Sequence, residues 1–104
     1  MAFDGTEGDP IDPIKAGEWT RRYREINPGK VQGYFFGRDV LLALLAQPET
    51  KGIRFYYGLN DQTPQLVAVG ANGLQNDQLG KAFIVADDAR PCPPYTSERN
   101  LLNS

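Results

Sequence analysis

Lys51-Gly52-Ile53-Arg54-Phe55-Tyr56-Tyr57-Gly58-Leu59, Asn60-Asp61-Gln62-Thr63-Pro64 and Gln65-Leu66-Val67-Ala68-Val69-Gly70-Ala71 follow one another without interruption. The first and third pieces are rich in β-branched and aromatic residues and bounded by glycine, the pattern of strands. The middle piece has the asparagine, aspartate and proline of a turn and is short enough for a hairpin loop. Two strands joined this closely must pair antiparallel. A third β-rich run, Lys81 to Ala86, lies beyond the polar connection Asn72 to Gly80 and extends the hairpin to a meander.

Upstream, Asp12-Pro13 is a helix start, since aspartate suits the N-cap and proline the first helical position. Ala16, Trp19, Tyr23 and Ile26 follow at helical spacing, so they share one face, predicted to turn to the core. Asn27-Pro28-Gly29 ends this helix. Val31 to Phe36 reads as a first strand. Arg38 to Gln47 reads as a second helix whose unbroken apolar run, Val40 to Ala46, predicts burial on more than one side. Asp39 stands near its start, where the helix dipole favours an acid, and Pro48 stops it. Two helices and about four strands, the last three consecutive, define an α+β fold in which a small antiparallel meander packs with the helices. The first strand and second helix are expected to cross over onto that sheet. Residues 1–12 read as an acidic, mobile leader, residues 13–90 as a single domain, and residues 91–104 as a proline-rich tail.

A chain of 104 residues with 40% hydrophobic and 23% charged residues holds one modest core. The net charge of −2 does not favour nucleic acid or an anionic membrane as a partner. Its distribution is uneven: Asp4, Glu7, Asp9 and Asp12 occupy the first twelve residues without a base, whereas Lys15, Arg21, Arg22, Arg24, Lys30, Arg38, Lys51 and Arg54 dominate the next stretch. Solvated faces, an acidic arm over a basic helix, and head-to-tail association are all open readings. There is no histidine, which removes Ser-His-Asp and Cys-His chemistry and histidine-held metals. One cysteine excludes an intrachain disulfide. No apolar run reaches the length of a membrane span, and the polar N-terminus has no signal-peptide pattern, so a cytoplasmic location is expected.

Three sets of residues carry candidate chemistry. Asp87-Asp88, with Asp77 in the preceding loop, supplies hard oxygen ligands suited to Mg²⁺ or Ca²⁺, although the loop lacks the alternating acids of a calcium site. Strand alternation puts Arg54 and Tyr56 on one face, and Ile53, Phe55 and Tyr57 on the other. Arg54, Tyr56, Tyr57 and Asp88 are the candidate lining of a ligand pocket, with an arginine stem lying on apolar surface as the plain alternative. Cys92, between Pro91 and Pro93, is either a reactive thiol on a stiff, extended tail or a small buried residue that docks it.

The series Gly33 to Asp39 (GYFFGRD), Lys51 to Gly58 (KGIRFYYG), Leu66 to Gly70 (LVAVG), Asn76-Asp77 and Pro91-Cys92-Pro93-Pro94 resembles a family of small bacterial proteins of similar length with no established activity. The resemblance spans about residues 13–102, and GIRFYYG and PCPP are its most specific segments. It implies one compact domain and adds nothing on mechanism; the residues themselves suggest no cofactor. The resemblance also implies a second cysteine shortly after PCPP, where this chain has Tyr95-Thr96-Ser97.

The residues together point to a non-enzymatic protein that acts by contact with a protein partner or by self-association, as a homo-oligomer or accessory subunit. A ligand-binding module is the second reading. A metal-dependent enzyme using Asp77, Asp87 and Asp88 is the third.

Overall fold

The computed structural model describes residues 2–104. In chain order the elements are α1 (Pro13–Ile26), β1 (Gly33–Phe35), α2 (Arg38–Leu45), β2 (Thr50–Asn60), β3 (Thr63–Asn72), β4 (Val85–Ala86) and β5 (Arg90–Cys92). All pairings are antiparallel, which bears out the α+β reading. The chain divides into two compact units, residues 2–7 with 36–89 and residues 8–35 with 90–104.

The first unit is built on the long hairpin. β2 and β3 pair from Asn60↔Thr63 down to Thr50↔Asn72, with one register shift between Thr50 and Gly52. The strands run closer to the turn than their composition implies, so only Asp61 and Gln62 connect them, with Asp61 at φ 55. Pro64 is tolerated within β3 because β4 pairs only with Ala68 and Val69 and leaves that edge open at Pro64. The strand expected over Lys81–Ala86 shrinks to Val85–Ala86. Gly80, at φ 112, opens a turn closed by Phe83 N–H on Gly80 O at 3.1 Å, and Ile84 N–H donates to the Gln47 side chain at 2.8 Å instead of to a strand.

α2 lies on β2 and β3. Leu44, Ala68 and Ala86 form the buried cluster, with Phe36, Val40 and Ile53 packed against it. Phe36 and Phe55 meet as tilted rings with centroids 5.6 Å apart. The expected burial of α2 on several sides is not found: Leu42 and Leu45 are about half exposed and Leu44 alone is buried. A helix of eight residues over a narrow sheet has one covered side, whatever the composition of the others. At the other end of the hairpin, Phe3 N–H donates to Gly73 O at 2.9 Å, which brings residues 2–7 alongside Lys51.

In the second unit α1 starts where expected. The Asp12 carboxylate caps Ile14 N–H at 3.0 Å, with Pro13 in the first turn. The predicted inward stripe is exposed, however: Trp19 and Tyr23 are about half exposed and Ile26 is 79% exposed. The buried position of α1 is Gly17, where a Cβ would lie 2.6 Å from the Leu101 carbonyl oxygen. α1 therefore packs by close backbone approach to the C-terminal turn, an approach that needs glycine and leaves the aromatic side uncovered. Arg24 reinforces it by donating to Leu102 O at 2.6 Å and Ser104 O at 2.5 Å.

β1 does not cross over onto the meander; it pairs with β5, Gly33 opposite Cys92 and Phe35 opposite Arg90. The segment read as stiff and extended folds back after β5, with Tyr95 N–H on Pro91 O at 3.0 Å. Asn100 and Asn103 then cap the last turns through their side chains.

Candidate functional site

β2 is the outermost strand of its sheet, and among the described residues no strand pairs with its other edge. The two-residue turn fixes which backbone groups lie on that edge. The residues flanking such a turn, Asn60 and Thr63, exchange hydrogen bonds, and bonded and non-bonded pairs then alternate. Asn60, Gly58, Tyr56 and Arg54 therefore point their amides and carbonyls at β3. Leu59, Tyr57, Phe55 and Ile53 point theirs outward. Pro64 opposite Leu59 occupies a non-bonded position, where no inward N–H is needed.

The two faces of β2 differ. Ile53, Phe55, Tyr57 and Leu59 share the face on which α2 lies. An α-helix of eight residues is about 12 Å long and covers only the Ile53 end. Beyond it Tyr57 is 95% and Leu59 73% exposed, a large apolar area at a strand edge.

The opposite face carries a polar cluster. Arg54 Nη1 pairs with Asp77 Oδ1, Arg54 Nη2 donates to Gln75 O at 3.2 Å, and Tyr56 Oη donates to Asp77 Oδ2 at 2.6 Å. The Arg54 guanidinium also stands 5.6 Å from the centre of the Phe3 ring. The Tyr56 hydroxyl, followed by Arg54, holds the Asp77 carboxyl below its ordinary range against the effect of burial. Asp77 in turn raises Arg54 and Tyr56 above theirs, chiefly through the same hydrogen bonds. Both carboxylate oxygens and both terminal guanidinium nitrogens are thus engaged.

A carboxyl depressed by folding stabilises the folded state above its unfolded pKa, about 3.9, and loses that contribution as pH falls through the folded value. Acid unfolding of the protein should therefore deepen below about pH 4. Asp77→Asn should flatten that limb, and should also flatten the loss of stability above about pH 10, because Asp77 is what raises the Tyr56 hydroxyl; circular dichroism across a pH series reads both.

The four residues proposed to line a ligand pocket are not gathered together. Arg54 and Tyr56 meet at Asp77, whereas Tyr57 faces the other side of the sheet. Asp88, at φ 61, lines with Asp87, Gly58, Leu59, Asn60 and Gln65 a separate open groove beside the hairpin turn. The carboxylates proposed for a metal are also apart. Asp77 bridges to Ala71, while Asp87 continues β4 past Ala68 towards the turn, about 13 Å away at 3.3 Å per residue. Among the described residues no group of three or more His, Cys, Asp or Glu is placed to hold a metal ion. Cys92 is half-buried in β5, its Sγ 3.9 Å from Arg90 O. A cavity of about 440 Å³ lies where Phe3, Glu7 and Leu45 meet Lys51, Ile53 and Arg54.

One constellation has no signal in the sequence. Gln78, 5% exposed, accepts from Thr50 Oγ1 at 2.6 Å and donates to Pro48 O at 2.8 Å. Gln47 spans from Leu44 O at 3.1 Å to Ile84 N–H at 2.8 Å. Gln47 thus supplies the partner of an amide beside the short β4, and Gln78 that of a carbonyl beyond the end of α2.

No protein-family model matches the chain, and no curated protein or solved structure matches it either. Among the described residues no helix is long and apolar enough to cross a membrane.

Proposed function

We propose that the protein works by strand addition, its β2 edge receiving an extended segment of a protein partner. The observation that carries this reading is the outer edge of β2 from Ile53 to Asn60. That stretch is long, unpaired and flanked by exposed Tyr57 and Leu59. Natural sheets blunt such an edge with proline, a bulge or charge. Here the register shift lies at Thr50/Gly52, the stretch from Ile53 to Asn60 contains no proline, and its one charge, Arg54, is tied to Asp77. Main-chain hydrogen bonds would give affinity, and the side chains of alternate residues selectivity. Small-ligand binding is less well supported, because Arg54 and Asp77 already satisfy each other.

A photo-activatable cross-linking residue at position 57, expressed in the native cell, should give a covalent adduct of discrete mass. An absence of any discrete adduct overturns strand addition.

A further inference from the structure

We propose that the strand taken up by β2 is the β2 of a second copy of this chain, antiparallel about a two-fold axis through Tyr56. This rests on the strand-addition reading and names its partner. Three observations on β2 converge on it.

The first is the usable length of the edge. Gly5 lies against the outward Lys51 carbonyl, where an added Cβ would be 3.3 Å from the oxygen, so a partner strand has room only from Ile53 onward. A two-fold perpendicular to a sheet preserves its faces, so each residue pairs with one on the same face. The register that uses every outward residue from 53 to 59 is the one centred on Tyr56. It pairs Ile53 with Leu59 and Phe55 with Tyr57 of the second copy, twice over. These are the four residues whose amides and carbonyls face outward, and four such pairs make about eight hydrogen bonds.

The second is side-chain complementarity in that register. Ile53–Leu59 and Phe55–Tyr57 are apolar cross-strand pairs, and they cover the two most exposed large apolar side chains of the strand. On the other face Tyr56 meets Tyr56, and Arg54 meets Gly58, which has no side chain to disturb the Arg54–Asp77 pair.

The third is charge. β2 carries Lys51 and Arg54 and no acid, both in its first half. Antiparallel pairing sets that half against the neutral, aromatic half of the second copy. A parallel pairing in register would oppose like charges, and so would an antiparallel one centred on Arg54.

The test uses the full chain. Sedimentation equilibrium should give twice the 11.5 kDa chain mass for the wild type. Tyr57→Pro removes an outward N–H that makes no bond within the hairpin, just as Pro64 does on β3. It should weaken dimerisation by about tenfold or more with unchanged circular dichroism. Tyr57→Lys, at a side chain almost wholly solvent-exposed in the single chain, should do the same and guards against misfolding of the proline variant. In a Cys92→Ser background, Tyr56→Cys should form an interchain disulfide with oxidised glutathione. The two Cα atoms of a non-bonded pair on the axis lie about 4.5 Å apart, within disulfide reach. Thr63→Cys, on the inner strand, should not cross-link.

A wild-type protein that stays monomeric up to its solubility limit overturns the second-copy inference. So does a dimer that survives both Tyr57 variants unchanged. A monomeric protein that still gives an in-cell adduct through position 57, at a mass other than twice the chain, overturns only the inference. A monomer without any adduct overturns strand addition as well.

Discussion

Leu44→Ala is expected to lower the unfolding free energy by about 3–4 kcal/mol, within the 2–5 kcal/mol typical of such truncations. Among the described residues Leu44 is the one large side chain wholly removed from solvent, and its buried companions, Ala68 and Ala86, are alanines. Alanines have no rotamers with which to fill the space left by an isobutyl group, so the cavity stays open and the cost falls towards the upper part of the range. Domains of this size are stable by only about 5–15 kcal/mol in total, so the loss is a large share. Urea unfolding of the variant should show a lower midpoint with an unchanged slope. A loss below about 1 kcal/mol would place the true core elsewhere.

Gly70→Ala is expected to cost about 2–4 kcal/mol, through hydrogen bonds instead of a cavity. The backbone at Gly70 is compatible with alanine, so the new methyl acts only by contact. It would lie 2.5 Å from Gln78 Oε1 and 3.0 Å from Gln47 Nε2. Moving Gln78, itself only 5% exposed, breaks its bonds to Thr50 and Pro48. Leaving buried polar groups unpaired costs about 1–3 kcal/mol each. The interpretation is checked by a double-mutant cycle with Gln78→Ala. Because the single changes damage one network, the double variant should be less destabilised than their sum. Strict additivity would show that the methyl group acts through something else.

The parts of the fold legible in the sequence are those decided locally. Asp12-Pro13 marks the start of α1 because capping involves residues two apart. The hairpin is legible because strand composition brackets a turn, and alternation puts Arg54 and Tyr56 on one face without further information. Contacts set by distant chain were not legible. The partner of Arg54 and Tyr56 is Asp77, in a loop more than twenty residues away, and the partner of β1 is Arg90–Cys92, which reads as a proline tail. Along the chain Asp77, Asp87 and Asp88 read as one carboxylate set. The strand register sends Asp77 to one end of β3 and the other two towards the opposite end.

Exposure is the larger difference. Periodicity tells which residues share a face and is silent on whether anything covers that face. Trp19, Tyr23 and Ile26 share a stripe as predicted, and the stripe faces solvent because Gly17 provides the packing contact. Tyr57 and Leu59 alternate as predicted, and they too face solvent because α2 ends before reaching them. The same short helix that limits the core therefore leaves the aromatic edge of β2 open, and the proposed function rests on that opening.

The most direct measurement compares two cross-linking positions in the native cell: Tyr57, whose backbone groups lie on the free edge of β2, and Leu42, a half-exposed residue of α2. Strand addition predicts a discrete adduct from position 57 that disappears when Leu59→Pro blocks the same edge, and no adduct of that mass from position 42. Equal labelling from both positions, or an adduct at 57 indifferent to the proline, would contradict it.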